Sequence, residues 1–521
     1  MSLPPPLDAL LRPDAYAHPV TTVELVETHI SWVLLAGEFA YKIKRPVRYD
    51  FVDLSDADRR RFFCEEELRL NRRFAPELYL DVCAIVSRQG EVRIGGSGCV
   101  LEHAVRMRRF SRRDELDQLL EQGTVEPSEL EDFGRTLARI HAQLPVAAAS
   151  SHWGCPAEVQ ALLIRNLKEC AEAGAVFGAS DAVLALRASL ERHLPAAAPW
   201  MAARRIAGRV RECHGDLHTR NIVRRGAGLV AFDCMEFEPA FRWIDVADEI
   251  ALLLSDLEAR GHALHAHAFR GAYLAASGDY QACRVLELYK AHRSLVRAKV
   301  AALTARALTS GPREGLRLEH ARLLEGAAAA LGTHTACLIV MCGVSGSGKT
   351  WLARLLAPRL AAVHLRSDVE RKRRAGLGEL ASSGSQLYGG LYTPEASAAL
   401  YASLAQFAEH VLSGGYNVIV DASFALRRER ARFLRVARRA GVPLRVLYCE
   451  ASSGVLRARI AARRQSASDA SEADQRVLES QLRDFEAVSA DEELDVLRID
   501  TSEPDAAGKA LEYVNASLRS R

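Results

Sequence analysis

Nothing in the 521 residues reads as a membrane span, because no uninterrupted apolar run approaches the roughly 20 residues a helix needs to cross a bilayer. The most apolar stretch, Ala336 to Cys342, is short and runs into glycines, as a buried strand does. Charge of one sign is also scarce: 69 basic against 66 acidic residues leave a net charge of +3. That balance gives no reason to expect a nucleic-acid or anionic-membrane partner. Arginine-rich patches such as Arg106 to Arg113 suit a solvated face or a strand edge beside a nucleotide. The eleven cysteines contain no CxxC pair and no His/Cys spacing suited to zinc. An odd, scattered set points to reduced thiols in a cytosol rather than to a disulfide framework. The first residues, Met1 to Leu11, lack a basic leader followed by an apolar stretch, so no signal peptide is expected. A cytoplasmic protein is the expectation. The apolar fraction of 49% and charged fraction of 26% are ordinary, and the length is too great for one core.

The pattern along the chain changes twice. Residues 20–55 read as strands and turns: Thr28 to Leu35 is β-rich, Gly37-Glu38 makes a turn, and Phe39 to Lys44 alternates before Pro46. A helix is predicted from Asp56 to Phe74, with Ser55 or Asp56 as N-cap. Strands return at Val82–Ser87 and Cys99–Met107. From about residue 114 to 332 the pattern is mostly helical, broken at Glu212–Phe237 by a loop and a short strand, Leu229 to Phe232. Strand and helix then alternate: Cys337–Cys342, a helix from Lys349, Val363–Arg366, a helix over 395–413, Asn417–Asp421, a helix near 427–439, and Leu444–Cys449. Such alternation implies a parallel sheet with helices on both faces. The boundary is placed near 333, dividing the chain into 1–332, with a small β-rich lobe to about 110, and 333–521. The polar stretch Gln465–Asp474 reads as a mobile loop.

Two phosphate-handling patterns occupy these halves. In His214-Gly215-Asp216-Leu217-His218-Thr219-Arg220-Asn221, Asp216 is placed to take a proton from an acceptor hydroxyl, and Asn221 to bind a metal from the same loop. Asp233 follows a short strand, the position for a carboxylate that bridges Mg²⁺ to phosphate oxygens. On these residues, 20–300 resembles the aminoglycoside/choline phosphotransferase branch of the protein-kinase-like superfamily. The resemblance implies a bilobal fold, ATP as donor, and Asp245-Val246-Ala247-Asp248 as the segment that braces the loop. It also implies a phosphate-pairing lysine in Tyr41-Lys42-Ile43-Lys44, with Lys42 preferred over Lys44. The partner acid is one of Glu65, Glu66 and Glu67, with Glu67 favoured; surface charges on a strand and a helix are the alternative. The chain departs from the family in two places: no GxGxxG precedes the lysine strand, and Cys234-Met235 follows Asp233 in place of Phe-Gly.

The second pattern, Gly343-Val344-Ser345-Gly346-Ser347-Gly348-Lys349-Thr350, is a full Walker A match between an apolar strand and a helical pattern. Its backbone N–H groups wrap phosphates, Lys349 reaches the β/γ phosphates, and Thr350 ligates Mg²⁺. Asp421 closes a second apolar strand as a Walker B acid or as strand-end turn chemistry. Asp368, after Arg366-Ser367, is either a base for an acceptor hydroxyl or a helix N-cap. Residues 336–500 resemble the small P-loop kinases of the gluconate kinase, polynucleotide 5′-kinase and zeta-toxin group. That resemblance implies a three-layer α/β/α fold around a parallel sheet, with lid arginines of which Arg459 and Arg463, four apart, are the candidates; solvated arginines on a helix are the alternative.

The leading expectation is therefore a two-module ATP- and Mg²⁺-dependent phosphotransferase acting on hydroxyls of small molecules, bifunctional if both sites transfer. A nucleotide sensor gating a single kinase is a second reading. A toxin-like kinase acting on nucleotide sugars or nucleic-acid ends is a third. The sequence names neither acceptor and is silent on oligomeric state.

Overall fold

The structure is a computed structural model; it describes residues 3–49, 52–226, 228–308, 313–381, 390–466, 470–471 and 474–519. The chain divides into two compact units. The first contains Met1–Glu129, Ile140–Val159 and Met201–Asp256. The second contains Leu130–Arg139, Gln160–Trp200 and Leu257–Arg521.

The first unit is built on a six-stranded antiparallel sheet, in the order Val23–Glu27, Ser31–Ala36, Phe39–Lys44, Cys99–Arg108, Tyr79–Arg88 and Glu91–Ile94. Side chains alternate across it. Tyr41 and Ile43 join Leu3, Leu7, Leu10, Trp32 and Leu34 in a core on one face, while Ala40 joins Cys64, Tyr79, Val105 and Met107 on the other. Lys42 and Lys44 follow Ala40 at even spacing, so both ammonium groups are delivered to the face that carries the helix Ala57–Asn71. That helix starts as predicted, with the Asp56 side chain accepting the N–H groups of Asp58 and Arg59. Thr28 to Leu35 is not one continuous strand: Thr28 and Ser31 close a tight turn, Thr28 N–H to Ser31 O at 2.9 Å, between the first two strands. Two short ladders, Ile222–Arg225 with Gly228–Ala231 and Val210–Glu212 with Trp243–Asp245, frame the loop that begins at His214.

The second unit contains a five-stranded parallel sheet, in the order Val363–Arg366, Val418–Asp421, Leu338–Cys342, Leu444–Glu450 and Val496–Asp500. Its central strand, Leu338–Cys342, is buried at every position, as a strand covered by helices on both faces must be. Leu352, Leu356, Ile419, Leu447, Ile499 and Val514 close the core on one side. The edge strand Val496–Asp500 escapes the sequence reading because it is short, half-exposed and interrupted by Arg498. Half of the polar stretch 465–474 expected as a loop lies outside the described residues; the helix Ser453–Ser466 runs into it and Asp474 caps the next helix, Gln475–Asp484. Within this unit the helices Ala263–Ser277 and Cys283–Ala307 pack against the sheet-bearing part. The helix Pro394–Ser413 ends there on Gly414, where an added Cβ would lie 2.1 Å from the Cys283 carbonyl oxygen.

No helix among the described residues is long and apolar enough to cross a membrane. Because the obstruction at Gly414 is backbone, Gly414→Ala is expected to destabilise the protein by about 1–3 kcal/mol, read from chemical denaturation, whereas Gly378→Ala, with open space around its Cα, leaves stability within about 0.5 kcal/mol.

Candidate active sites

In the first unit, three residues predicted from sequence meet. Lys42 Nζ lies 2.8 Å from Glu67 Oε1 and 2.6 Å from Asp233 Oδ1. Glu65 and Glu66 do not reach the lysines; they pair with Arg61 and Arg69 on the same helix. Lys44, the alternative lysine, lies 2.5 Å from Glu67 Oε2 and also pairs with Glu236, but its side chain is 1% exposed against 13% for Lys42. Burial alone would lower the Lys42 pKa, yet Asp233 and Glu67 outweigh it and hold the ammonium well above its ordinary value. Partial burial pushes Asp233 up, and Lys42 outweighs it in turn, so that carboxyl sits below the usual range.

The segment after Asp233 is fixed residue by residue. Asp233 N–H donates to Tyr79 Oη at 3.1 Å, Cys234 N–H to Asn71 Oδ1 at 3.0 Å, and Met235 N–H to His214 O at 2.9 Å. Glu236 completes it on Lys44. Residues 234–236 are thus held by hydrogen bonds and charge. Glu236, Asn71 and Tyr79 were not found in the sequence; only the position of Glu236, three residues after Asp233, could have suggested it.

The loop from His214 to Asn221 carries Asp216 and Asn221 together: Asn221 Nδ2 donates to Asp216 O at 3.0 Å and to Asp216 Oδ2 at 3.2 Å. His218 Nε2 lies 3.4 Å from the same Oδ2. His214 is buried, with its pKa pushed down to about 4, so it is neutral. Its Nε2–H donates to Phe232 O at 2.8 Å while Nδ1 faces the Asp216 N–H at 3.4 Å. The brace of this loop is Glu249, one residue beyond the segment named from the resemblance. Its carboxylate accepts His214 N–H at 2.7 Å and Gly215 N–H at 3.1 Å. Asp245 instead takes a bidentate bond from buried Arg204, both contacts at 2.7 Å. Asp256 holds Thr219 through both its N–H and its hydroxyl.

In the second unit, Thr350 Oγ1 donates to Asp421 Oδ2 at 2.7 Å, and His364 Nε2 lies 3.2 Å from the same oxygen. Burial raises the Asp421 pKa, but the His364 bond and charge outweigh it, leaving the carboxyl at about 2. Lys349 Nζ donates to Gly343 O at 2.8 Å and Val344 O at 2.9 Å. The glycines are sterically required: a Cβ on Gly343 would lie 2.4 Å from Cys449 O, and one on Gly348 would lie 2.6 Å from Thr501 Oγ1. Ser345 N–H is taken by Gln481 Oε1 at 2.7 Å. Arg459 donates to Thr501 Oγ1 at 2.7 Å and to Gly346 O at 3.3 Å, so it is fastened to the Walker A loop itself. Arg463 stands one turn further along the same helix. Asp368 sits in the first turn of the helix Ser367–Arg374, whose N-cap position is Arg366. In the sheet, Arg366 pairs with Asp421, so Asp368 lies just beyond the C-terminal strand edge where α/β proteins bind ligands. Gln481, Thr501 and His364 carry no sequence signal of their own.

Comparison with known proteins matches a family model to a segment in each half of the chain. Residues 55–286 match the phosphotransferase enzyme family, and residues 338–488 match an AAA domain model. The first segment is a phosphotransferase-family domain of protein-kinase-like fold and the second is a P-loop domain built on a parallel sheet; the chain is a phosphotransferase enzyme. Uncharacterized proteins of Mycobacterium tuberculosis and Mycobacterium bovis are 29% identical over 457 residues, 87% of this chain and 89% of theirs. Among solved structures, a choline/ethanolamine kinase family protein from Mesorhizobium loti is 12% identical, covering 59% of this chain and 93% of its own, with a TM-score of 0.33. A gluconokinase from Sinorhizobium meliloti is 20% identical, covering 36% of this chain and 93% of its own, with a TM-score of 0.26.

The helix Ala57–Asn71 is tied to the strand before His214 by one carboxylate. Glu212 receives Arg69 at 2.8 Å, Arg73 at 3.0 Å and Arg242 at 3.1 Å. Burial raises its pKa, and the bonds from Arg69 with the charge of Arg73 outweigh that, leaving it at about 2. A carboxyl depressed in the folded state stabilises fully above its unfolded pKa and loses that contribution as pH falls through the folded one. Glu212→Gln is therefore expected to lower stability near neutral pH and to flatten its fall between pH 4.5 and about 2, measured by denaturant titration across that range.

Proposed function

We propose that the chain transfers the γ-phosphate of ATP to hydroxyl groups of small molecules at two sites, one in residues 1–332 and one in 333–521. The observation that carries the reading is the convergence of Lys42, Glu67 and Asp233 within 2.8 Å contacts, beside the Asp216–Asn221 loop. Phosphoryl transfer asks chiefly for positioning and electrostatics. Lys42, steadied by Glu67, would hold the donor phosphates. Asp216, whose Oδ2 is steadied by Asn221, would orient the acceptor hydroxyl and take its proton. The oxygen donors of Asp233 and Asn221 suit a hard cation such as Mg²⁺, which when bound neutralises charge on the phosphate oxygens.

In the second site the Walker A backbone would cradle the phosphates, and Thr350 with Asp421 offers a second oxygen set for Mg²⁺. Asp368 would act as base toward the acceptor. Arg459, bound to Gly346 and Thr501, would keep the loop in shape, and Arg463 would face the phosphates as the lid cation. Balanced charge supports a small acceptor over a nucleic acid. The odd, scattered cysteines, without paired spacing, support a reducing compartment.

The test is transfer from γ-labelled ATP into a cytosolic metabolite extract, with products identified by mass spectrometry. Two products are expected, one lost in Asp216→Asn and the other in Lys349→Ala, each falling by at least about 100-fold. One product lost in only one variant would reduce the other site to a nucleotide sensor. No labelled metabolite at all would overturn the reading.

A further inference from the structure

The helix that carries Asp368 is two turns long, and among the described residues no side chain caps its N-terminus. Helices this short have little stability of their own, so its placement must come from what it touches. Glu370, 1% exposed, accepts a hydrogen bond from Tyr280 Oη at 2.8 Å, and Tyr280 is itself 1% exposed. The other Glu370 oxygen accepts Arg373 Nε at 3.1 Å. Arg373 continues to the carbonyls of Ala275 and Ala276, the last turn of the helix Ala263–Ser277, where backbone acceptors lack helical partners. Gly278 leaves room for it: a Cβ there would lie 3.0 Å from the Arg373 side chain.

The same helix Ala263–Ser277 reaches the Walker A helix, Lys349–Arg359, from its far end. His267 Nδ1 lies 2.8 Å from Pro358 O, and Arg270 Nη2 donates to Ala361 O at 2.7 Å. Ala361 is left-handed, at φ +49°, in the turn that feeds the strand Val363–Arg366 and then Asp368. Residues 263–280 lie inside the phosphotransferase family segment, yet their polar groups finish two helices of the P-loop segment.

We propose that Tyr280, Arg270 and His267 are positioning residues of the P-loop site. They set the Walker A helix and the Asp368 helix from behind, so that this kinase module is completed by the module that precedes it. Tyr280 clasps the acid-bearing helix through Glu370, and Arg270 holds the strained turn that leads into it. The P-loop segment without residues 257–330 lacks these partners and is not an autonomous kinase. The inference rests on the reading of 333–521 as an active phosphotransferase.

The experiment uses the full chain with one site silenced at a time, Mg·ATP as probe and water as acceptor, reading phosphate release. In the Asp216→Asn background, Tyr280→Phe is expected to lower kcat about tenfold while KM for ATP stays within about twofold, because the phosphate loop is untouched and only the base helix shifts. In the Lys349→Ala background the same substitution leaves the rate unchanged. Glu370→Gln, which keeps an acceptor for Tyr280, retains more of the rate than Glu370→Ala. An unchanged rate for Tyr280→Phe in the Asp216→Asn background overturns the inference, as does a parallel collapse of kcat, ATP affinity and melting temperature. Absence of Lys349-dependent turnover in the parent would instead defeat the phosphotransfer reading. Hydrogen exchange then decides the positioning role: amides of 363–374 protected equally in Tyr280→Phe and parent would overturn it.

Discussion

The first site depends on a single buried carboxylate. Glu67 receives Lys42 on one oxygen and Lys44 on the other, and it is fully removed from solvent. Two lysines on one strand face would repel each other and pay heavily for desolvation without it. With it, the sheet, the helix Ala57–Asn71 and the segment Asp233–Glu236 are held by one connected set of charges, because Lys42 continues to Asp233 and Lys44 to Glu236. The two lysines divide the work by depth. Lys44, almost sealed, ties helix to loop, which leaves Lys42 at the cleft with its position already decided. Removing one member of such a set strands the others, at a cost of about 3–5 kcal/mol for a buried pair. Geometry here is therefore fixed by the protein's own charges.

The second site is set by backbone rather than by paired charge. Its glycines stand where neighbouring carbonyls and Thr501 exclude a side chain, and its loop amides and carbonyls engage Gln481, Arg459 and Lys349. The acid at the strand edge, Asp421, is shared by Thr350 and His364. Under the proposed function, one fold would position phosphates through a lysine lattice and the other through oriented peptide groups, two answers to one electrostatic demand.

The loop from His214 to Asn221, the strand leading to Asp233 and the Walker A loop were legible because each is contiguous and its pattern is local. Phe39–Lys44, Val363–Arg366 and the helix capped by Asp56 were legible because alternation and capping are local signals. The choice between Lys42 and Lys44 was not, since residues two apart share a face and only depth separates them. Glu236, Glu249, Asn71 and Tyr280 were invisible for a common reason. Each acts across a long sequence separation on a backbone amide, a lysine or a buried carboxylate, and no local pattern records such a contact. The brace assigned to Asp245–Asp248 shows the limit of motif matching: the right turn of chain was named, but the carboxylate that takes the two loop amides is Glu249.

In each site strained backbone lies at or shortly after the strand-end acid, and both secure the strain in the same way. Asp233 itself is left-handed, at φ +64°; in the second site the left-handed residue is Phe424, at φ +48°, three positions after Asp421. Such a conformation costs a residue with a Cβ roughly 1–2 kcal/mol and persists only where surroundings over-determine it. In each case a buried tyrosine hydroxyl accepts the strained residue's N–H at 3.1 Å, Tyr79 for Asp233 and Tyr401 for Phe424. A hydroxyl can accept this bond and still donate one, so it joins the strained peptide to its surroundings without adding a charge beside the acid. A carboxylate in the same place would raise the pKa of the neighbouring acid, and an apolar side chain would leave the amide unpaired. A tyrosine in each position pairs the amide and closes the turn without opposing Lys42 and His364, which hold the two acids ionised.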